Sequence, residues 1–301
     1  MPTIKLQQWT SPLNAKHGSI LNVALAAGVR YPDSCQPGVG YPVRRVQATV
    51  AHIEAATHDI MRVRLKVDGD APLEFAAGQY AEIRFNGCPP RPYSMANRPD
   101  DETLEFHIRR VPGGVVSGYV ARQTRAGDLV QLEGPYGSAF LRQPADEPIV
   151  LIAGGSGLAP MKSILLAALV QQVKFPIRLY HGVRDARDIY DARAIAIAGS
   201  GRVHYIPVLS LASQPSGYRE GLVHEALERD FQTLSGLKVY LAGPPPMVDT
   251  VTAAVLRLGA RREDIHADAF YAARDVRQQR REEQGITKGF FWGSFRGERA
   301  S

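Results

Sequence analysis

The sequence has only two cysteines, Cys35 and Cys88, in 301 residues. Two thiols cannot build a disulfide framework, and such sparing use fits a reducing compartment. A cytoplasmic location is therefore expected. Nor does any apolar run reach the roughly 18 residues that a membrane-spanning helix needs, so no membrane association is expected. The opening stretch MPTIKLQQWTSPLN lacks the apolar middle of a signal peptide. Internal repeats are absent, and so is an acidic excess: 36 Lys and Arg face 30 Asp and Glu, for a net charge of +6. The basic residues are scattered and form no basic-aromatic module, so nucleic acid is not an expected partner. Such a surface is either simply solvated or steers an acidic protein or a phosphate-rich cofactor.

What is there divides by texture. The length suggests two domains or slightly more. Within residues 1–45, GSILNVALAAGV has apolar residues at helical spacing, and prolines 32, 37 and 42 then mark an irregular linker. From 46 to 145 short β-branched runs such as MRVRLKV, AEIRF and LEFHIRRV are separated by Gly, Pro, Asp and Asn. That pattern predicts an antiparallel β-barrel or sandwich. From 146 to 272 apolar strands alternate with helical stretches, which predicts a parallel sheet wrapped by helices, binding its ligand at the carboxyl ends of the strands. Residues 273–301 form a charged and then aromatic tail, with GFFWGSF as its docking candidate.

Three stretches of the second region carry chemistry. In LIAGGSGLAP a strand runs into Gly154, Gly155, Ser156 and Gly157, and Leu158, Ala159 and Pro160 open a helix. Bare glycines let backbone N–H groups approach a pyrophosphate, and the helix N-terminus adds positive potential. The pattern is not GxGxxG, and a purely structural strand–turn–helix would look similar. VYLAGPPPMV repeats the arrangement at Gly243, Pro244, Pro245 and Met247. Two such turns at one sheet edge make one dinucleotide crevice. Between them, YHGVRDARDIYD places Gly182, Arg184 and Arg187 to reach a ribose or its phosphate.

The β-rich region adds RPYSMAN and RRVPGGVVS. Arg91 can pair with phosphate, Tyr93 can stack on a flat ring and Ser94 can hydrogen-bond a ring nitrogen. Gly113, Gly114 and Ser117 offer phosphate donors. Either stretch also reads as an ordinary hairpin.

Taken in order, RPYS, RRVPGGVVS, GGSGLAP, AGPPPMV and ADAFY resemble the ferredoxin–NADP reductase superfamily, most closely the reductase components of bacterial aromatic-ring dioxygenases, over about residues 46–271. The resemblance implies a β-barrel that holds FAD and a Rossmann-like domain that holds the nicotinamide cofactor. It implies that Arg91 and Pro92 approach the FAD pyrophosphate, that Tyr93 stacks on the flavin and that Ser94 bonds near its N5. The strand through His107, Ile108 and Arg109, with Gly113, Gly114, Val116 and Ser117, would line the FAD diphosphate. Gly154–Pro160 and Gly243–Met247 would bracket the nicotinamide nucleotide. Phe270 would cover the other flavin face, and Asp268 would be the acidic residue near it, which with Ser94 makes the implied catalytic set. One departure is Ala242, where the family has a cysteine; some loss of hydride-transfer rate is expected.

The implied function is an FAD-dependent NAD(P)H oxidoreductase passing electrons to a separate iron–sulfur ferredoxin or oxygenase component. NADH is favoured over NADPH, because Asp185 and Asp188 lie beside Arg184 and Arg187. Two other roles fit the same motifs: a flavin reductase or diaphorase, and a degenerate paralogue that only binds. Residues 1–45 resemble the start of a plant-type ferredoxin domain. Cys35 matches its first ligand, but Gly40 stands at the second, and a cluster needs four. This segment is read as a truncated ferredoxin-like remnant, with no two-iron cluster and no metal expected.

Overall fold

The computed structural model describes residues 41–69, 72–143, 145, 147–211 and 217–271. The front segment with Cys35 and Gly40, and the tail beyond residue 271, lie outside the described residues.

Strands β1 (Arg44–Ala55), β2 (Ile60–Val67), β3 (Tyr80–Arg84), β4 (Arg91–Ser94), β5 (Leu104–Arg109) and β6 (Leu129–Tyr136) form an antiparallel sheet in the order β4-β3-β6-β1-β2-β5. Period-2 alternation sets its faces. In β2, Val63 and Leu65 are buried while Arg64 and Lys66 are exposed. The sheet curls until its two end strands touch at one bridge, Met95 to Phe106, reinforced by the Ala96 N–H donating to the Glu105 carbonyl at 2.7 Å. Continued in register, Ser94 would face His107 and Pro92 would face Arg109. No ladder bond among the described residues continues that way. The barrel is therefore closed at one end of this seam and open at the other. Two strand edges face the gap.

A turn at Val111–Gly114, with Gly113 at φ +70°, leads into helix α1 (Val115–Arg122). This segment is thus a turn into a helix and not the hairpin that its glycines also allowed. A side chain on Gly114 would put its Cβ 2.6 Å from Ser117 Oγ and 3.0 Å from the Val111 carbonyl, so only glycine closes this turn.

The second sheet is parallel, in the order β10-β9-β8-β7-β11-β12. Its strands are β7 (Ile149–Gly154), β8 (Ile177–Val183), β9 (Val203–Leu209), β10 (Arg219–Glu220), β11 (Lys238–Gly243) and β12 (Ile265–Ala269). Every residue of β7 is buried, as in a strand covered on both faces. Helices α2 (Leu158–Val170) and α3 (Ala192–Gly199) cover one face, and α4 (Val223–Asp230) and α5 (Pro245–Arg257) the other. The core on the α2 face includes Ile60, Ala77 and Leu141, so the two sheets share apolar packing.

The run ARDIYDARAIAIAG suggests one helix over 186–199, but it does not form in one piece. The Asp185 carboxylate accepts from the Arg187 N–H at 3.3 Å, and Asp188 accepts from the Asp185 N–H at 3.0 Å, which fixes a short 3₁₀ turn at Ala186–Asp188. Such side-chain bonds compete with helix propagation. Asp191 then sits at φ +59° before α3 begins.

Candidate active site

Strand order reverses between β7 and β11, the place where open α/β sheets hold their ligands. Both glycine turns lie there and touch. A Cβ on Gly154 would lie 2.3 Å from Met247 Sδ, and one on Gly157 would lie 2.1 Å from the Ala242 carbonyl oxygen. Gly155, at φ +54°, and Ser156 are part exposed, while Leu158, Ala159 and Pro160 are buried. Of that motif, residues 155–156 face the crevice and the rest is packing. Helix α2 has no acidic residue in its first turn and no side-chain cap. Its first N–H, on Leu158, is taken by the Gly155 carbonyl and Pro160 has none, so donors toward the crevice come from the part-exposed Gly155–Ser156 turn that leads into it. Across the crevice, Pro244 is exposed, Pro245 and Met247 are part exposed and Gly243 is buried. Gly182 has a packing role: a Cβ there would meet Val223 Cγ2 of α4 at 2.4 Å.

On the barrel side, Pro92 is exposed and Arg91 is part buried, its Nη1 donating to the Pro90 carbonyl at 2.8 Å. The Ile108 and Val116 side chains belong to the barrel core, so only their backbone can meet a ligand. Ser117 Oγ accepts from the Val111 N–H at 3.1 Å and keeps its own proton to donate. The His107 ring is fully engaged, with Nε2 3.0 Å from Glu105 and Nδ1 3.1 Å from the Tyr190 hydroxyl. Arg109 Nε donates to Asp59 at 2.8 Å, and its Nη1 lies 3.2 Å from where a Gly155 Cβ would be. It thus joins β5 to the Gly155 turn. Burial opposes ionisation of Asp59, but Arg109 prevails and holds its pKa below the ordinary value. Arg184 is mostly exposed, with Nη2 3.8 Å from the same carboxylate.

The two sides meet where Ser94 stands beside the Asp268 carboxylate and favours its ionised form. Asp268 is part exposed, yet protein surrounds it, and burial pushes its pKa up to about 6 against the opposing Ser94 bond. Tyr93 is also part exposed and packs against the barrel core; burial raises its hydroxyl pKa, with Arg91 opposing. Both residues thus keep partial exposure from largely enclosed positions. The Phe270 N–H donates to the Gly243 carbonyl at 2.9 Å, and its ring lies part exposed against the cluster that contains Ala242. Ser94, Asp268, Phe270 and the Gly243 turn are thus brought together. A separate cavity of about 670 Å³, lined by Arg178, His204 and Asp230 among others, is not bordered by either glycine turn.

Sequence reasoning passed over a buried polar seam between the two sheets. Lys162 Nζ donates to Glu105 and Asp191 at 2.7 Å each, and Arg62 also pairs with Asp191. Burial would raise the Glu105 pKa, but His107 and Lys162 hold it well below its usual range. His107 stays neutral because burial lowers its pKa. A signal was present: Lys162 is the one charge within the apolar helix LAPMKSILLAALV, and Glu105 interrupts an apolar strand.

Two family models match: an oxidoreductase FAD-binding domain over residues 47–140 and an oxidoreductase NAD-binding domain over residues 151–253. The ferredoxin–NAD(P)+ reductase component of a Pseudomonas putida naphthalene 1,2-dioxygenase system is 42% identical over 77% of this chain and 71% of that protein. A Ralstonia sp. reductase component of naphthalene dioxygenase and salicylate 5-hydroxylase systems is 43% identical over 81% of this chain and 74% of that protein. The chain belongs to the ferredoxin–NAD(P)+ reductase family. It is an FAD- and NAD(P)-dependent oxidoreductase. Among solved structures, the ferredoxin reductase of carbazole 1,9a-dioxygenase superposes with a TM-score of 0.73, at 31% identity, covering 81% of this chain and 74% of that one. The residues present fit FAD: an unpaired strand edge on each side of the gap, a glycine turn before a helix with no acidic residue in its first turn, and part-open Tyr93 beside Ser94.

Proposed function

We propose that this reductase passes electrons from NADH, through FAD, to a separate iron–sulfur ferredoxin or oxygenase component. The observation that carries the reading is the Ser94–Asp268 contact, which joins the end of the flavin-side strand to the end of the nicotinamide-side sheet. Bound FAD supplies the chemistry, accepting a hydride and releasing the electrons one at a time. Arg91 and the Gly113–Ser117 turn would hold the FAD diphosphate, and Tyr93 would stack on its ring. The Gly155 and Pro244 turns would bracket the nicotinamide nucleotide, with Phe270 on the side where it enters. Asp268, at a pKa of about 6, can hold or release a proton near neutral pH, and the Ser94 hydroxyl connects it to the cleft. Residues 46–145 would form the FAD-binding unit and 146–272 the nicotinamide unit. No helix among the described residues is long and apolar enough to cross a membrane, and the sparse cysteines favour the cytoplasm.

NADH is preferred over NADPH because Asp185 and Asp188 stand beside Arg184 and Arg187, so a second ribose phosphate would meet carboxylates. The test loads the protein with FAD, supplies NADH, and compares steady-state electron transfer to a two-iron ferredoxin with transfer to free flavin. Faster turnover with the ferredoxin is expected. Turnover with free flavin alone would assign a flavin reductase instead.

A further inference from the structure

His181, on β8, is fully buried, and neither of its ring nitrogens reaches the crevice. Nε2 lies 3.0 Å from the Gly155 carbonyl and Nδ1 lies 2.7 Å from the Tyr205 hydroxyl on β9. A carbonyl can only accept, so Nε2 carries the proton. The ring is neutral, because burial lowers its pKa to about 4. Nδ1 must then accept from Tyr205. The Leu158 N–H also donates to the Gly155 carbonyl, so both lone pairs of that oxygen are taken.

The consequence follows from peptide geometry. In a planar trans peptide the carbonyl of one residue and the N–H of the next point in opposite directions. With the Gly155 carbonyl tied inward to His181, the Ser156 N–H points outward, and as a first-turn donor it has no acceptor within its own helix. Gly155 reaches this orientation through its left-handed φ of +54°.

We propose that His181, oriented by Tyr205, is a positioning residue that presents the Ser156 N–H to the pyrophosphate of the nicotinamide dinucleotide. This rests on the nicotinamide-nucleotide reading of the Gly155 turn. His181 touches no ligand itself.

The test measures the KM for NADH and the Kd for ADP-ribose, which carries the pyrophosphate without nicotinamide, in FAD-loaded wild type and in His181→Phe, His181→Gln and Tyr205→Phe. Phe fills the space but donates nothing, while Gln restores an N–H donor. In His181→Phe both constants should rise about tenfold, the weight of one modest hydrogen bond, with kcat within about twofold of wild type. His181→Gln should recover most of the loss, and Tyr205→Phe should show a smaller rise of the same kind. Unchanged constants in His181→Phe, or a loss confined to kcat, would overturn the proposal. Should His181→Phe fail to fold, His181→Gln and Tyr205→Phe decide it: near-normal binding in the first with weakened binding in the second supports it, and the reverse order sinks it. Wild type that neither oxidises NADH nor binds ADP-ribose would instead remove the functional reading beneath it.

Discussion

Lys162 lies between two carboxylates at 2.7 Å each, whereas Asp268, also where the two sheets meet, has the Ser94 hydroxyl beside it and no cation. The two halves of this seam use similar residue types for opposite ends. Around Lys162 the positive charges of Arg62 and Lys162 are matched by Glu105 and Asp191, and the side chains are nearly buried. Such a cluster fixes how the sheets dock. Around Asp268 the carboxylate is under-compensated, its pKa is raised and solvent still reaches it. Balanced charge marks the joint, and a lone carboxylate with a raised pKa marks the face where chemistry is sought.

Breaking each half should therefore do different things. The largest effect is expected from Lys162→Met, which removes the cation that bridges Glu105 and Asp191 and leaves Arg62 and Arg64 alone to balance the two buried carboxylates. A loss of about 3–5 kcal/mol is expected for removing one partner of a buried pair, read as a fall in the chemical-denaturation midpoint. Next is Gly157→Ala. Its new Cβ would fall 2.1 Å from the Ala242 carbonyl, a backbone atom that cannot swing away. About 1–3 kcal/mol of overpacking strain is expected, with a rise in the KM for NADH, because the two turns would be pushed apart.

Asp268→Asn should sharpen the contrast, because it is expected to stabilise while slowing the reaction. A carboxyl whose pKa is raised from near 4 to about 6 on folding favours the folded state fully below pH 4, and that contribution is lost as pH rises through 6. Wild type and variant should melt alike near pH 4. The variant should gain on wild type between pH 4 and 6 and hold a constant lead above. Reduction of bound FAD by NADH should slow by about 10²-fold, the low end for a positioned proton carrier. The smallest effect is expected from Ser94→Ala. Ser94 lowers the Asp268 pKa, so its loss should move the acidic limb of the pH–rate profile upward. An unmoved limb would separate Asp268 from that titration.

Much of the working face was legible in the sequence. Glycines 113, 155 and 157 and the runs RPYS and ADAF are local signals, fixed by backbone demands within a few residues. Most strands and helices followed from periodicity, apart from the helix Val115–Arg122 after the Gly113–Gly114 turn and the 186–199 stretch, where Asp185 and Asp188 turned the chain with their own side chains. The joint was not legible. Glu105 and Lys162 are 57 residues apart, and His181 and Gly155 are 26 apart. A charge inside an apolar helix announces that a partner exists, but only the docking of the two sheets says which one. Gly182 and Val116 show the converse: each sat in a motif read as cofactor-binding, and each proves to have a packing role.

The central claim is that one cleft brings a flavin and a nicotinamide together at Ser94, Asp268 and Phe270. Rapid anaerobic mixing of the FAD-loaded protein with NADH tests it most directly. The account predicts that the yellow flavin absorbance bleaches in a single turnover, with one NADH consumed per FAD. Bound FAD that keeps its colour under excess NADH would contradict it.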